Sequence, residues 1–331
     1  MKGAGKNTPV FSLDSSSEKS GGDGPGALGV VIDSELAKIA SPHAPRSAPS
    51  VPLKYEQRHY AYRNPWVVRA FALLDRVGGS LFEKKRERPE ILKRVLVLRP
   101  DHLGDVLFSF PALRALREEL PDAQIDFLVG PWARPLLPED PKDLHGVALL
   151  EFAAPWLGRP KKVRFGFGAT LKLARLLRKR ARALGGKYDM VLDLRGDFQL
   201  ILAARLSGAR YLVGRGLTGL GFLLDTEAEE IPGRHQVERN LSMIESAGFG
   251  PLRTTNPSLS LSEDEKKRGR LLLLEHGVDV SRILIGMHVG AGAATKLWGA
   301  DRYAQLIKRV IADLPAQVIL FGASGDRTAV N

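Results

Sequence analysis

The sequence predicts an α/β protein with mostly parallel sheets, and three observations carry that expectation. Short apolar runs of β type alternate with helical segments from about Ile91 to Phe249, the pattern of strands joined by helical crossovers. After the polar stretch Thr254 to Ser262, a helix-like segment leads into a second strand–helix–strand series. A chain of 331 residues, 44% hydrophobic, can bury one large core or two ordinary ones, and two domains fit the length better.

Taken in order, residues 1–55 are rich in Ser, Gly, Pro and Ala and bury too little apolar area to offset ordering entropy, so a disordered low-complexity tail is expected. Residues 56–90 form a basic amphipathic segment. Within it Trp66, Ala70, Leu74, Val77 and Leu81 recur at helical spacing, Arg69 and Arg76 are interspersed, and the basic run KKRER follows. Such a helix either packs on the core or lies in a membrane interface with its basic residues toward anionic headgroups. An N-terminal α/β domain with a mostly parallel sheet is expected over 91–252, with strands at 94–98, 124–129, 147–152, 190–194 and 211–213. The remainder, 253–331, carries strands at 283–287 and 317–321 and a helix at 301–314. Two strands and about two helices leave a long apolar edge, so this second domain is expected to be partial and the chain a fragment.

Composition excludes several chemistries. There is no cysteine, hence no disulfide, thiolate nucleophile or Cys-bound metal. The seven histidines lack metal-ligand spacing, so no metal is expected. No apolar run serves as a secretory signal or a membrane span. The net charge of +12 favours anionic partners. Between Arg159 and Lys187 lie eleven basic residues and no acidic one, a solvated face or a surface for phosphorylated groups or lipid. Nucleic acid is not expected, because interleaved aromatics and a binding motif are lacking.

Two loops are chemically suggestive. In RVLVLRPDHLGDVLFSFPALRALREEL the strand breaks at a loop with Gly104 and Asp105, and the helical pattern resumes from Pro111. Ligands of open α/β sheets sit outside the carboxyl ends of the strands, so Asp105 is a candidate base for a hydroxyl proton; a helix-capping role explains it equally well. Gly104 would permit a tight turn and close substrate approach. The loop HVGAGAATKLW follows a strand and precedes a helix. Small residues there let the backbone approach a phosphate and Lys296 adds a cation, or Lys296 is a surface lysine. The GxGxxG at Gly214, Gly216 and Gly219 precedes no long helix, which argues against a dinucleotide site. His235 either reaches a crevice or caps a helix.

The segment RVLVLRPDHLGDVLFSFPALRALREELPDAQIDFLVGPWA resembles the amino-terminal signature of glycosyltransferase family 9, the lipopolysaccharide heptosyltransferases. YDMVLDLRGDFQLILAARLSGARYLVG, HQVERNLSMIESAGF and HVGAGAATKLWGADRYAQLIKRV resemble its later segments in order. The resemblance implies a GT-B-type fold of two Rossmann-like domains and an inverting, metal-independent transfer of heptose from ADP-heptose to a lipopolysaccharide core acceptor. It implies Asp105 as general base and Lys296 as the residue stabilising the donor diphosphate, with Gly290, Gly292, Thr295 and His288 also on the donor side. Asp101, His102, Gly104, Arg195 and His235 are the expected acceptor-side residues. The implied protein is a cytoplasmic monomer, peripheral on the inner membrane, with a nucleotide sugar and a glycolipid acceptor as partners and no cofactor. The family's D/S-G-x-x-H element is absent up to Asn331, so weak or no activity is expected of the 331-residue chain. PDHLGDV also departs from the commoner Ser-rich loop, which implies a different acceptor or donor sugar. The alternatives are a transferase for another cell-surface glycan and a non-catalytic membrane-associated module.

Overall fold

The computed structural model describes residues 60–62, 64–81, 85–137, 144, 146–157, 166–229, 233–252, 256–259, 261–291 and 294–322. The expected tail, Gly292 and residues 159–165 of the basic run lie outside these. The chain forms two compact units, one spanning Ala44–Ser260 and one that includes Leu261–Asn331.

The first unit is built on strands β1 (Arg94–Leu98), β2 (Gln124–Val129), β3 (Val147–Glu151), β4 (Met190–Asp193), β5 (Tyr211–Gly214) and β6 (Thr226–Glu227). They lie in the order β3-β2-β1-β4-β5-β6, every neighbour parallel. A parallel sheet covered on both faces needs strands that are apolar on both sides, which is why RVLVL reads as a continuous apolar run. Val95 and Val97 enter one core cluster, Leu96 and Leu98 the other. The first cluster includes Leu113 and Leu116 of helix α3 (Phe110–Glu119), and Leu241 and Ile244 of helix α6 (Gln236–Ser246). The second includes Leu173 and Leu177 of helix α4 (Phe167–Ala183), and Leu200 and Ile201 of helix α5 (Phe198–Ser207).

Three sequence expectations need correction. The helical pattern resumes before Pro111, in the short helix α2 (Leu103–Leu107), so Asp105 lies inside a helix rather than in an open loop. The described part of the basic run after the amphipathic segment is tied to the backbone of the first unit. Lys85 donates to the carbonyls of Phe222 (3.0 Å) and Leu224 (2.6 Å), Arg86 to that of Ala209 (2.8 Å) and Arg88 to that of Ala247 (2.8 Å). The basic run of α4 is likewise partly structural. Arg180 forks onto the fully buried Asp126 with two bonds of 2.9 Å, and Tyr188 donates to the same carboxylate at 2.6 Å.

Helix α1 (Pro65–Leu81) starts where Asn64 accepts a bond from the Trp66 N–H at 2.9 Å, with Pro65 in the first turn where its missing N–H costs nothing. In the second unit, helix α7 (Glu263–Glu275), strand β7 (Ile283–His288), helix α8 (Ala300–Asp313) and strand β8 (Ala316–Phe321) form a parallel β7-β8 pair. Val289, Val318 and Leu320 are its buried cluster, and neither α7 nor α8 buries a residue among those described.

Candidate active site

Both units are parallel α/β, and in the first the order of the strands reverses between β1 and β4. Crossovers leave this junction in opposite directions, opening a crevice at the carboxyl ends of the strands. A pocket of about 270 Å³ lies there. The segment after β1 supplies Arg99, Asp101 and Asp105; that after β4 supplies Arg195, Gly196 and Asp197; that after β5 supplies Arg215; the first turns of α6 supply Gln236 and Arg239.

Arg99 organises this pocket. Its side chain is 5% exposed, and its guanidinium donates to the Leu194 carbonyl and, at 3.1 Å, to one carboxylate oxygen of Asp105. Its Nε stands 3.8 Å from Asp101. Burial pushes the Arg99 guanidinium down, and the two aspartates oppose that. Asp101 is held also by Arg195, and its second oxygen accepts from the His102 N–H at 3.0 Å. Burial alone would raise its carboxyl; Arg195 and Arg99 outweigh burial and hold it below the ordinary range.

The turn after β4 is as constrained. Asp197 caps α5, accepting from the backbone of Gln199 (3.0 Å) and Leu200 (3.4 Å), and burial raises its carboxyl although Arg195 works against this. Gly196 has φ 79°, and a Cβ there would stand 2.6 Å from the Arg215 carbonyl, so only glycine fits. Beneath them Asp193 is fully buried. One oxygen accepts from the Arg195 N–H at 3.0 Å, the other has no hydrogen-bond partner, and burial pushes its carboxyl up to about 7. Arg215 donates to the Arg239 carbonyl and to Ser242 Oγ at 3.4 Å, joining the β5 end to α6.

The pocket gathers some of the residues expected from sequence and leaves out others. Asp101, Asp105 and Arg195 line it together. Asp105 stands in the first turn of α2, where a carboxylate meets the positive end of the helix, while the N-cap is His102, whose side chain makes no capping hydrogen bond. His102 is exposed beside them. Gly104 lies in α2 without positive φ, so no tight turn requires glycine there, and the space above its Cα is open. Of the two readings of His235 the structure shows the helix cap: its Nδ1 accepts from the Val237 N–H at 3.3 Å while its own N–H donates to Glu238 at 3.1 Å, the capping box of α6. The neighbours of His235, Gln236 and Arg239, face the pocket instead. Arg99, Arg215, Arg239 and Gln236 escaped the sequence reading; the positions of Arg99 and Arg215 directly after a strand were the usable signal.

The donor-side candidates lie in the second unit. His288 ends β7, its Nδ1 accepting from the Gly290 N–H at 3.1 Å and its carbonyl from the Tyr303 hydroxyl at 3.2 Å. Thr295 and Lys296 are exposed in a short 3-10 turn (Ala294–Lys296), and Trp298 packs edge-on against Tyr303 at 5.1 Å. The GxGxxG after β5 runs into a 3-10 turn at Gly221–Leu223, not a crossover helix, so it is no dinucleotide fingerprint. Among the described residues no cluster of His, Asp or Glu could hold a metal ion.

The family model "Glycosyltransferase family 9 (heptosyltransferase)" matches residues 177–330. Lipopolysaccharide heptosyltransferase 2 of Escherichia coli (strain K12) is 29% identical over 254 residues, covering 72% of this chain and 66% of that protein. Lipopolysaccharide heptosyltransferase 3 of the same strain is 28% identical over 232 residues, covering 68% and 62%. The chain thus spans less than two thirds of the length of these relatives. Among solved structures, a family 9 glycosyl transferase from Veillonella parvula aligns with TM-score 0.55 at 21% identity, over 74% of this chain and 66% of that one. The ADP-heptose lipopolysaccharide heptosyltransferase II of E. coli aligns with TM-score 0.54 at 26% identity, over 71% and 66%.

Proposed function

We infer that this chain, which is glycosyltransferase family 9-like, transfers a heptose from ADP-heptose to a lipopolysaccharide core acceptor by an inverting, metal-independent displacement. The observation that carries the reading is Asp105 at the pocket of the β1–β4 switch point, its carboxylate held by the buried Arg99, which is itself tied to the end of β4. A base fixed in this way keeps its geometry as an acceptor hydroxyl approaches.

In the proposed step, the acceptor oxygen attacks the anomeric carbon of the donor from the face opposite the diphosphate. Its proton passes to Asp105, the bond from the anomeric carbon to the diphosphate oxygen breaks, and the configuration inverts. The leaving ADP carries growing negative charge, which Lys296 and the nearby backbone of the second unit offset. The pocket sets four arginines against three aspartates, and Asp101 and Asp105 already engage Arg99 and Arg195. An arginine-rich lining of this kind suits an acceptor bearing carboxylate or phosphate groups. On this reading the protein works as a monomer in the cytoplasm, on the inner face of the membrane that carries its acceptor.

The test is transfer by the full-length protein. Replacing the base, as in Asp105→Asn, is expected to lower kcat by roughly 10² to 10⁴ while leaving donor affinity nearly unchanged. Wild-type turnover in that variant contradicts the assignment. The exposed His102 beside the buried Asp101 favours a second reading, a different acceptor or donor sugar, which a panel of nucleotide sugars and truncated glycolipids separates from the first.

A further inference from the structure

Helix α1 packs with one face and leaves the other bare. Inward, Phe71 contacts Phe198 (ring centroids 5.2 Å apart) and Tyr62 (5.4 Å), Asp75 accepts from the Tyr60 hydroxyl at 2.6 Å, and Gly78 lies against the Phe222 ring. Outward, Trp66 is 71% exposed, Leu73 64%, Val77 50% and Leu81 74%. At 100° per residue these four fall within one arc of roughly 80°, and Arg69 and Arg76 border it on one side. No acidic residue lies on the outward arc, since Asp75 is the helix's one carboxylate and faces inward.

We propose that this outward face docks the protein on an anionic phospholipid bilayer, with Trp66, Leu73, Val77 and Leu81 entering the interface and Arg69 and Arg76 meeting headgroup phosphates.

Charge complementarity selects this occupant over a protein surface. The Arg69 guanidinium lies over the Trp66 ring at 5.1 Å, so an aromatic anchor and a cation stand at the same edge of the stripe. That is the pairing an interfacial helix uses, since the indole sits at headgroup depth while the guanidinium reaches phosphate. Helices α1 and α5 both pack on the 3-10 turn at Gly221–Leu223, and α4 packs on α5. Helix α4 exposes Lys172, Arg175, Lys179 and Arg182, which add to the positive charge of this unit. The helix has 17 residues and includes two arginines and an aspartate, and no described helix is long and apolar enough to cross a membrane, so α1 lies in the interface plane. Docking also connects to the pocket: Ala61, just ahead of α1, lines it and donates its N–H to the Leu217 carbonyl at 2.8 Å. The proposal stands independently of the transferase reading.

The experiment is flotation of the full chain with vesicles of phosphatidylethanolamine and phosphatidylglycerol, against vesicles of phosphatidylcholine alone. The protein is expected to float with the anionic vesicles and to be released by salt. L73Q/V77Q and R69E/R76E, all at exposed positions, are each expected to lower the bound fraction about tenfold with unchanged circular dichroism. The tryptophan emission of the wild type shifts to the blue on binding, and that of W66F does not. The proposal is overturned if the wild type stays in the aqueous fraction, if both double variants float like it, or if L73Q/V77Q instead abolishes a concentration-dependent self-association.

Discussion

Arg99 is the residue on which the pocket depends, because it joins Asp101, Asp105 and the Leu194 carbonyl from a buried position. Removing one partner of a buried ion pair strands the other, at about 3–5 kcal/mol. Asp101→Ala, which leaves both Arg99 and Arg195 without their shared carboxylate, is therefore expected to lose about 3 kcal/mol in denaturant unfolding. The stability that Asp101 contributes is present above about pH 3.9 and is lost as the pH falls through its lower folded value. Asp193 has the opposite sign. Its carboxyl, raised to about 7 by burial with Asp197 adding to the rise and Arg195 opposing it, binds a proton more tightly when folded. Stability should therefore fall as the pH climbs from about 4 to 7 and flatten above that range. D193N is expected to raise Tm relative to wild type at pH 8 and change it little at pH 5; a lower Tm for D193N at pH 8 contradicts this account. Asp105 was legible in the sequence because it follows a strand within a few residues, where α/β sheets place ligands, and Arg195 through the family resemblance. Arg215 and Arg239 were not, since an arginine in a linear sequence reads as surface charge until the fold buries it.

At the scale of elements, the joint between α2 and α3 is tied to α6 by a single buried amide. Asn240 donates to the Phe108 carbonyl at 2.9 Å and lies 3.4 Å from Ser109 Oγ. Truncating it to Ala leaves that carbonyl without its bond, an expected loss of about 1–3 kcal/mol. Because α6 carries Gln236 and Arg239 and α2 carries Asp105, the same variant should also reduce transfer by loosening the pocket. Gly196→Ala forces a side chain toward the Arg215 carbonyl at positive φ, and thermal unfolding should register a loss of about 1–3 kcal/mol. Seven of the eight described strands were legible to within a residue or so, since an apolar run bounded by turn residues is a strong local signal, whereas the two-residue β6 was not. The short α2 was not, because five residues offer less than two turns of periodicity. Periodicity also found the apolar stripe of α1 but not its direction: the helix packs through Phe71, Asp75 and Gly78, and most of the residues that defined the stripe face outward.

For the molecule as a whole, the two units differ in how much they bury. Strands β1 and β4 lie at the centre of a six-stranded sheet with a core on each face, whereas β7 and β8 pair only with each other among the described residues. A two-stranded sheet gains little protection by itself, so amide hydrogen exchange should be slow in β1 and β4 and faster in β7 and β8. The alternation of strands and helices made the class of both units legible; how the pocket assembles from five separate segments was not, because it depends on sheet order. The most direct test of the central claim compares heptose transfer by full-length wild-type protein and D105N, using ADP-heptose and a heptose-deficient lipopolysaccharide acceptor. The account predicts that D105N binds both substrates and transfers roughly 10² to 10⁴ times more slowly, whereas transfer at the wild-type rate contradicts it.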